Sequence, residues 1–153
     1  MKFRKATREE LPLIVEMISN DPLGKLREDF QNPLPEKYYT AFEKINQNED
    51  QELIVFENDL GEIVGTLQLT FLQYLTYQGG IRAQVEAVRV REDQTGKGIG
   101  QQAIQWAINR AKEKGAHLIQ LTSDKKRKDA IRFYEKLGFV ASHEGMKLHL
   151  KYK

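Results

Sequence analysis

Residues 94–100 read Q-T-G-K-G-I-G. The glycines stand between an apolar, β-branched run, V-E-A-V-R-V, and a helix-like stretch, Q-Q-A-I-Q-W-A-I-N-R-A-K-E-K. Without Cβ atoms the backbone there can approach a ligand closely, and N–H groups at a helix start point outward. That is anion chemistry, best suited to phosphate; a tight turn without a ligand is the other reading. A P-loop would need G-x-x-x-x-G-K-[ST], and no such string is present. A dinucleotide fingerprint needs G-x-G-x-x-G in the first βα unit, whereas G-K-G-I-G is one residue short and follows the fourth or fifth strand. Just upstream, Glu86 interrupts an apolar neighbourhood of Val85, Ala87 and Val88. Burying a carboxylate without a partner is costly, so such a residue usually has a partner or a job; an ion pair with Arg82 or Arg89, or simple exposure at a strand splay, is the other reading of Glu86.

The elements that must position these residues follow from periodicity. K-F-R-K-A alternates as an edge strand. Thr7 and Glu10 have capping-box spacing, and Leu11, Ile14, Val15 and Ile18 share a helical face, so 8–19 read as a helix. N-D-P-L-G stops it, and Pro35 opens a second helix, P-E-K-Y-Y-T-A-F-E-K-I-N-Q. E-L-I-V-F-E, I-V-G-T-L-Q-L-T-F-L-Q-Y-L and I-R-A-Q-V-E-A-V-R-V are strands, with Gly61 at a hairpin turn and Gly65 at a bulge. A helix from the glycine cluster to about residue 114 stops at Gly115. H-L-I-Q-L-T is a strand, D-A-I-R-F-Y-E-K-L a helix closed by Gly138, and F-V-A-S-H-E-G-M-K-L-H-L-K-Y one or two final strands. Helices interspersed among strands imply a mixed α/β sandwich.

The 153 residues, 40% of them hydrophobic, suit one domain with one core. With 24 basic against 22 acidic residues the net charge is +2, which disfavours a nucleic-acid binder. The absence of cysteine excludes disulfides, a thiolate nucleophile and a Cys-ligated metal. His117, His143 and His149 lack helical metal-ligand spacing, so no metal is expected. No apolar run would span a bilayer, and M-K-F-R-K-A-T-R-E-E has no apolar signal core. A soluble cytoplasmic protein with no membrane partner is the expectation.

V-R-V-R-E-D-Q-T-G-K-G-I-G resembles the acyl-CoA-binding segment of the GNAT superfamily of N-acetyltransferases, where a V-x-V strand end runs into [R/Q]-x-x-G-x-[G/A]. Gly98 and Gly100 match its two glycines; Thr95 stands where the family has Arg or Gln, with Gln94 one residue early. A-I-R-F-Y-E-K-L-G-F, at 130–139, resembles the family's A-x-x-F-Y-x-x-x-G-F signature, with Arg127 where a polar residue often precedes it. The resemblance covers about residues 50–150. It implies a GNAT-like fold: a central, mostly antiparallel twisted sheet with a splayed parallel strand pair and helices on both faces. Residues 1–50 would form the acceptor-side helices and 51–153 the sheet and acyl-CoA-binding core of one acetyltransferase domain.

The resemblance also implies an activity, transfer of acetyl from acetyl-CoA to a small primary amine by direct attack in a ternary complex. Pantetheine would lie along Val88, Arg89 and Val90, with the Val88 N–H as oxyanion donor. Gln94, Thr95, Gly96, Lys97, Gly98, Ile99 and Gly100 would wrap the pyrophosphate. In the basic run D-K-K-R-K-D, Arg127 could meet the CoA 3′-phosphate, although a solvated helix entry explains the run as well. Tyr134, at the F-Y position, is the candidate general acid for the thiolate, and Glu86 the candidate base. Arg27, Glu28, Tyr38 and Tyr39 fall where the family lines its acceptor pocket, with Gln68 and Phe71 expected to face the cleft. A-S-H-E-G-M-K-L resembles a closing hairpin at which family members often pair with a second subunit, so a homodimer is expected. The alternative is a non-catalytic acyl-CoA-binding or transcription-regulatory protein on the same fold.

Overall fold

The computed structural model describes residues 1–151. The chain forms two compact units, Met1–Gln120 and the residues from Leu121 onward.

The first unit opens with β1 (Lys2–Lys5) and the capping box: Glu10 Oε1 accepts from the Thr7 N–H at 2.8 Å. The expected helix over 8–19 divides into a 3₁₀ turn at Arg8–Glu10 and α1 (Leu11–Ser19), which carries Pro12 in its first turn, where a missing N–H costs nothing. One helical turn, α2 (Gly24–Arg27), follows, then α3 (Glu36–Gln47), β2 (Gln51–Glu57) and β3 (Ile63–Gln73). Gly61 turns the β2–β3 hairpin at φ +79°. A single turn, α4 (Thr76–Gly79), leads to β4 (Ile81–Val90); α5 (Ile99–Glu113) and β5 (Ala116–Gln120) complete the unit.

The strands form one five-stranded sheet in chain order. The β1–β2, β2–β3 and β3–β4 pairs are antiparallel, and the β4–β5 pair is parallel. Alternation divides the sheet into two faces. Val55 packs with Leu11, Ile14 and Val15 of α1 and Phe42 of α3. On the other face Phe56 meets Phe3, which stacks on Trp106 of α5. Helices thus cover both faces. The bulge expected at Gly65 lies beside it, between the Phe56–Gly65 and Glu57–Ile63 pairs. Gly65 itself answers to packing, because a Cβ there would lie 2.2 Å from the Phe56 ring.

The second unit contains α6 (Lys128–Lys136), ended by Gly138 at φ +98°. The final strands expected in F-V-A-S-H-E-G-M-K-L-H-L-K-Y do not form among the described residues, so no closing hairpin is present there; Tyr152 lies outside the described residues. The apolar members of that stretch, Val140, Met146, Leu148 and Leu150, are exposed, and a strand with neither ladder nor buried face has nothing to hold it.

Candidate active site

The site grows from an irregularity in β4. Thr66 pairs with Arg89 and Gln68 with Glu86, so Leu67 alone opposes Ala87 and Val88. Two residues against one is a β-bulge, and Ala87 adopts φ +53°, a left-handed conformation that costs a non-glycine residue about 1 kcal/mol. No glycine marks the place, yet the sequence carries a signal. Polar residues stand at 82, 84 and 86 and then at 89 and 91, so the alternation slips by one.

β5 pairs with β4 only over Ile81–Gln84. From Val85 to Val90 the β5-side edge of β4 has no strand partner among the described residues, which is the splay expected of the parallel pair. The bulge and this open edge coincide, so Val88 and Val90 carry backbone groups available to a ligand. The Arg89 side chain is committed elsewhere: its Nε lies 3.0 Å from Asp21 Oδ2, and its Nη1 donates to the Val88 carbonyl. Asp21 also accepts from the N–H groups of Leu23 and Gly24, which joins the turn after α1 to the bulged strand.

Beyond β4 a 3₁₀ turn at Glu92–Gln94 enters the glycine loop. Gly96 and Gly98 both have φ +78°, with nothing within 4 Å of where a Cβ would stand. Their need for glycine is therefore conformational, and the space above them is open. Gly98 caps α5, whose first turn has no acidic residue. The helix's first N–H groups have no side-chain cap, and its positive dipole end begins at this loop, the ordinary basis of a phosphate site. The loop side chains hold one another. Thr95 Oγ1 donates to the Glu92 carbonyl, Lys97 Nζ to Gln94 Oε1, and Gln94 Nε2 to Asp93. Arg91 holds the Asp93 carboxyl below its ordinary value. Ile99 is buried under the loop.

Glu86 is exposed rather than buried, so the reasoning from a desolvated carboxylate does not apply. The regular alternation of Arg82, Gln84 and Glu86, unbroken up to the bulge, places it at an open concavity of about 250 Å³, lined by Gln68, Thr70, Leu72, Gln84 and Glu86. Gln120 Nε2 donates to Gln84 Oε1 at 2.9 Å, and Gln84 Nε2 donates to Glu86 Oε1 at 2.7 Å. A relay of two amides therefore orients the carboxylate, and neither Arg82 nor Arg89 pairs with it. Gln68 lines the concavity. Phe71 does not: three residues along a strand reverse the face, and its buried ring packs under Lys114.

Arg27, Glu28 and Tyr38 come together in a group of their own. Arg27 Nε lies 3.3 Å from Glu28 Oε2, the Tyr38 hydroxyl donates to Glu28 Oε1, and the Asp29 N–H donates to that hydroxyl. Burial raises the Tyr38 pKa, keeping it a donor at neutral pH. Tyr39 instead lies under Arg8, which pairs with Glu43.

In the second unit the F-Y-x-x-x-G-F spacing has a local cause. Gly138 reverses the chain, the Phe139 N–H donates to the Tyr134 carbonyl, and the Phe139 ring sits edge-on to Tyr134, at 5.7 Å between centroids. Asp124 accepts from the Lys126 N–H, ordering the turn before Arg127, the N-cap of α6. Among the described residues no group of three or more His, Cys, Asp or Glu could hold a metal ion, and no helix is long and apolar enough to cross a membrane.

The model of the acetyltransferase (GNAT) family matches residues 21–139. Over 83 residues the chain is 34% identical to the aminoalkylphosphonate N-acetyltransferase of Salmonella typhimurium, covering 54% of this chain and 53% of that protein. Over 142 residues it is 28% identical to the L-methionine sulfoximine/L-methionine sulfone acetyltransferase of Pseudomonas paraeruginosa, covering 92% and 80%. The chain thus spans about half the length of the first relative and four-fifths of the second. Among solved structures, a protein from Bacillus halodurans C-125 described as a transcriptional regulator superposes with a TM-score of 0.93 at 54% identity, over 97% of this chain and 99% of that one.

Proposed function

The chain belongs to the acetyltransferase (GNAT) family, and on that premise we propose that residues 1–153 are a single acetyltransferase domain, an acetyl-CoA-dependent N-acetyltransferase acting on the primary amine of a small molecule. The observation that carries the reading is the coincidence at β4 of a bulge, an unpaired edge and a glycine-capped helix start. Acetyl-CoA supplies the activated acetyl group. The chain supplies positions for it: the β4 edge at Val88–Val90 for the pantetheine amides, and the loop from Gln94 to Gly100 for the diphosphate. The residues fit, because the Gly96 and Gly98 Cα atoms face open space.

Acetyl transfer needs a neutral amine, a donor for the carbonyl oxygen as it gains charge, and a proton for the departing sulfur. Glu86, held by Gln84, takes the amine proton directly or through water. The Val88 N–H, in the bulge, is the donor for the oxygen. Tyr134, at the signature's F-Y position, delivers the proton to sulfur; a phenol, with an ordinary pKa of about 10, remains protonated at neutral pH. Gln68 contacts the acceptor across the concavity, and the Arg27–Glu28–Tyr38 group is a further acceptor-side candidate. Both named relatives act on small amine-bearing acids, which supports a small acceptor. The reading extends to a cytoplasmic enzyme that pairs as a homodimer. Exposed Met146, Leu148 and Leu150, at alternating positions, support an intersubunit strand, and sedimentation tests it.

The test is the heat of acetyl-CoA binding, with ATP and NADH as controls, on the wild type and on Gly98→Asp. Aspartate tolerates the left-handed backbone but sets a carboxylate at the anion site. Binding of acetyl-CoA alone, weakened tenfold or more in the variant, is expected; no binding overturns the reading. Release of free CoA with an amine panel then tests turnover. The Bacillus halodurans neighbour favours a second reading, a non-catalytic regulator, in which acetyl-CoA binds and no amine is acetylated.

A further inference from the structure

The arginines of the first unit are Arg4, Arg8, Arg27, Arg82, Arg89, Arg91 and Arg110. Every one except Arg82 has an acid partner, at 2.6–3.3 Å. Among the described residues Arg82 makes neither an ion pair nor a hydrogen bond, and its half-buried side chain includes a buried Nε without a partner. Its guanidinium lies instead over two tyrosine rings, 4.8 Å from the centroid of Tyr74 and 5.4 Å from that of Tyr77.

The clamp is built at a conformational cost. Tyr77 and Gln78 both have left-handed backbone, at φ 53° and 61°, a strain that persists only where the surroundings impose it. Tyr77 stacks on His117 at 4.7 Å, and Gly80 leaves room for that imidazole, since a Cβ there would lie 2.5 Å from it. A guanidinium fixed by aromatic faces and left without an acid is preorganised for an external oxyanion, because little of its freedom remains to be lost on binding.

Its place identifies the ligand. Arg82 pairs across the ladder with Leu72, which lines the Glu86 concavity, and stands on the same sheet face as Gln84 and Glu86. The glycine loop lies past the other end of β4, roughly 25 Å away at strand rise, so the anion is not the diphosphate of acetyl-CoA. We propose that Arg82 anchors the acidic group, a carboxylate or phosphonate, of an amine acceptor whose amino end reaches toward Glu86. This rests on the N-acetyltransferase reading. Arg82 and Glu86 are four residues apart, about 13 Å along the strand. The acceptor's amine and acid are therefore separated by a chain of several atoms.

The experiment compares 3-aminopropylphosphonate, 4-aminobutanoate and the acid-free 4-amino-1-butanol as acceptors, with acetyl-CoA and thiol readout, on wild type, Arg82→Lys and Arg82→Gln. Thermal midpoints are recorded for each variant. The quantity read is the KM of the alcohol divided by that of each acid. A ratio of about ten or more in the wild type, falling toward one in Arg82→Gln and intermediate in Arg82→Lys, is expected. A merely structural clamp would lower the thermal midpoint and leave the ratio unmoved, which overturns the proposal, as does a wild-type ratio near one. If no amine is turned over, heat of 3-aminopropylphosphonate binding decides. Binding lost in Arg82→Gln supports the anchor while acetyl transfer itself falls, and no binding to the wild type overturns the anchor.

Discussion

β3 and β4 present two faces made of alternate residues from the same strands, and the faces differ in kind. Toward α5 stand Leu67, Leu69, Ala83 and Val85, none more than 2% exposed. On the opposite face Gln68, Thr70, Gln84 and Glu86 border open space. One face is closed by a fifteen-residue helix; the other is left to amides, a hydroxyl and a carboxylate. A period-two pattern thus makes core and candidate site from one stretch of chain, and the packed face holds the open one in place.

The comparison breaks most severely at the packed face. Leu67→Ala, at a fully buried position, should cost about 2–5 kcal/mol in urea unfolding. Glu52, 3% exposed, takes three contacts from Arg110 at 2.6–3.2 Å. Glu52→Ala leaves Arg110 with Glu113, 3.1 Å away, as its remaining acid and should cost about 1–3 kcal/mol. Glu86→Gln, on the open face, should change stability by less than about 0.5 kcal/mol while lowering kcat and shifting its pH profile. An unchanged profile removes Glu86 from the mechanism.

Acid sharpens the contrast at the sheet's edge. Hydrogen bonds from Arg4 hold the Glu10 carboxyl below its ordinary 4.5. Its folded value is depressed, so its contribution is fully present above about 4.5 and is lost as pH falls through the folded value. Urea midpoints should therefore drop more below that pH in the wild type than in Glu10→Gln. A small effect on stability alone is expected at Ala87→Gly. Relief of the left-handed strain offsets glycine's entropy, so stability should move by no more than about 1 kcal/mol, and a loss beyond that would mean the Ala87 methyl is a packing group.

Much of this was legible without coordinates. The Gly61 turn, the glycine loop, the start and stop of α5 and the two faces of β2 follow from local pattern. The bulge at Ala87 was written in the slipped alternation of β4, but a search for glycines passes over it. Phe71 illustrates the opposite failure. An aromatic residue near a cleft in sequence belongs to the core once the face is counted from Gln68.

Local sequence alone determined where strands and helices run, that Gly96 and Gly98 would permit a left-handed loop, and the family to which the motifs point. These are properties of dihedral preference and hydrophobic period, which act over a few residues. Only the tertiary structure decided that Arg89 is held by Asp21, that Glu86 faces open space beside Gln84, and that Arg82, alone among its unit's arginines, has no acid partner among the described residues. Such pairings join residues up to 68 positions apart through the fold, and a charged side chain's partner is set by proximity in space, which no local pattern records.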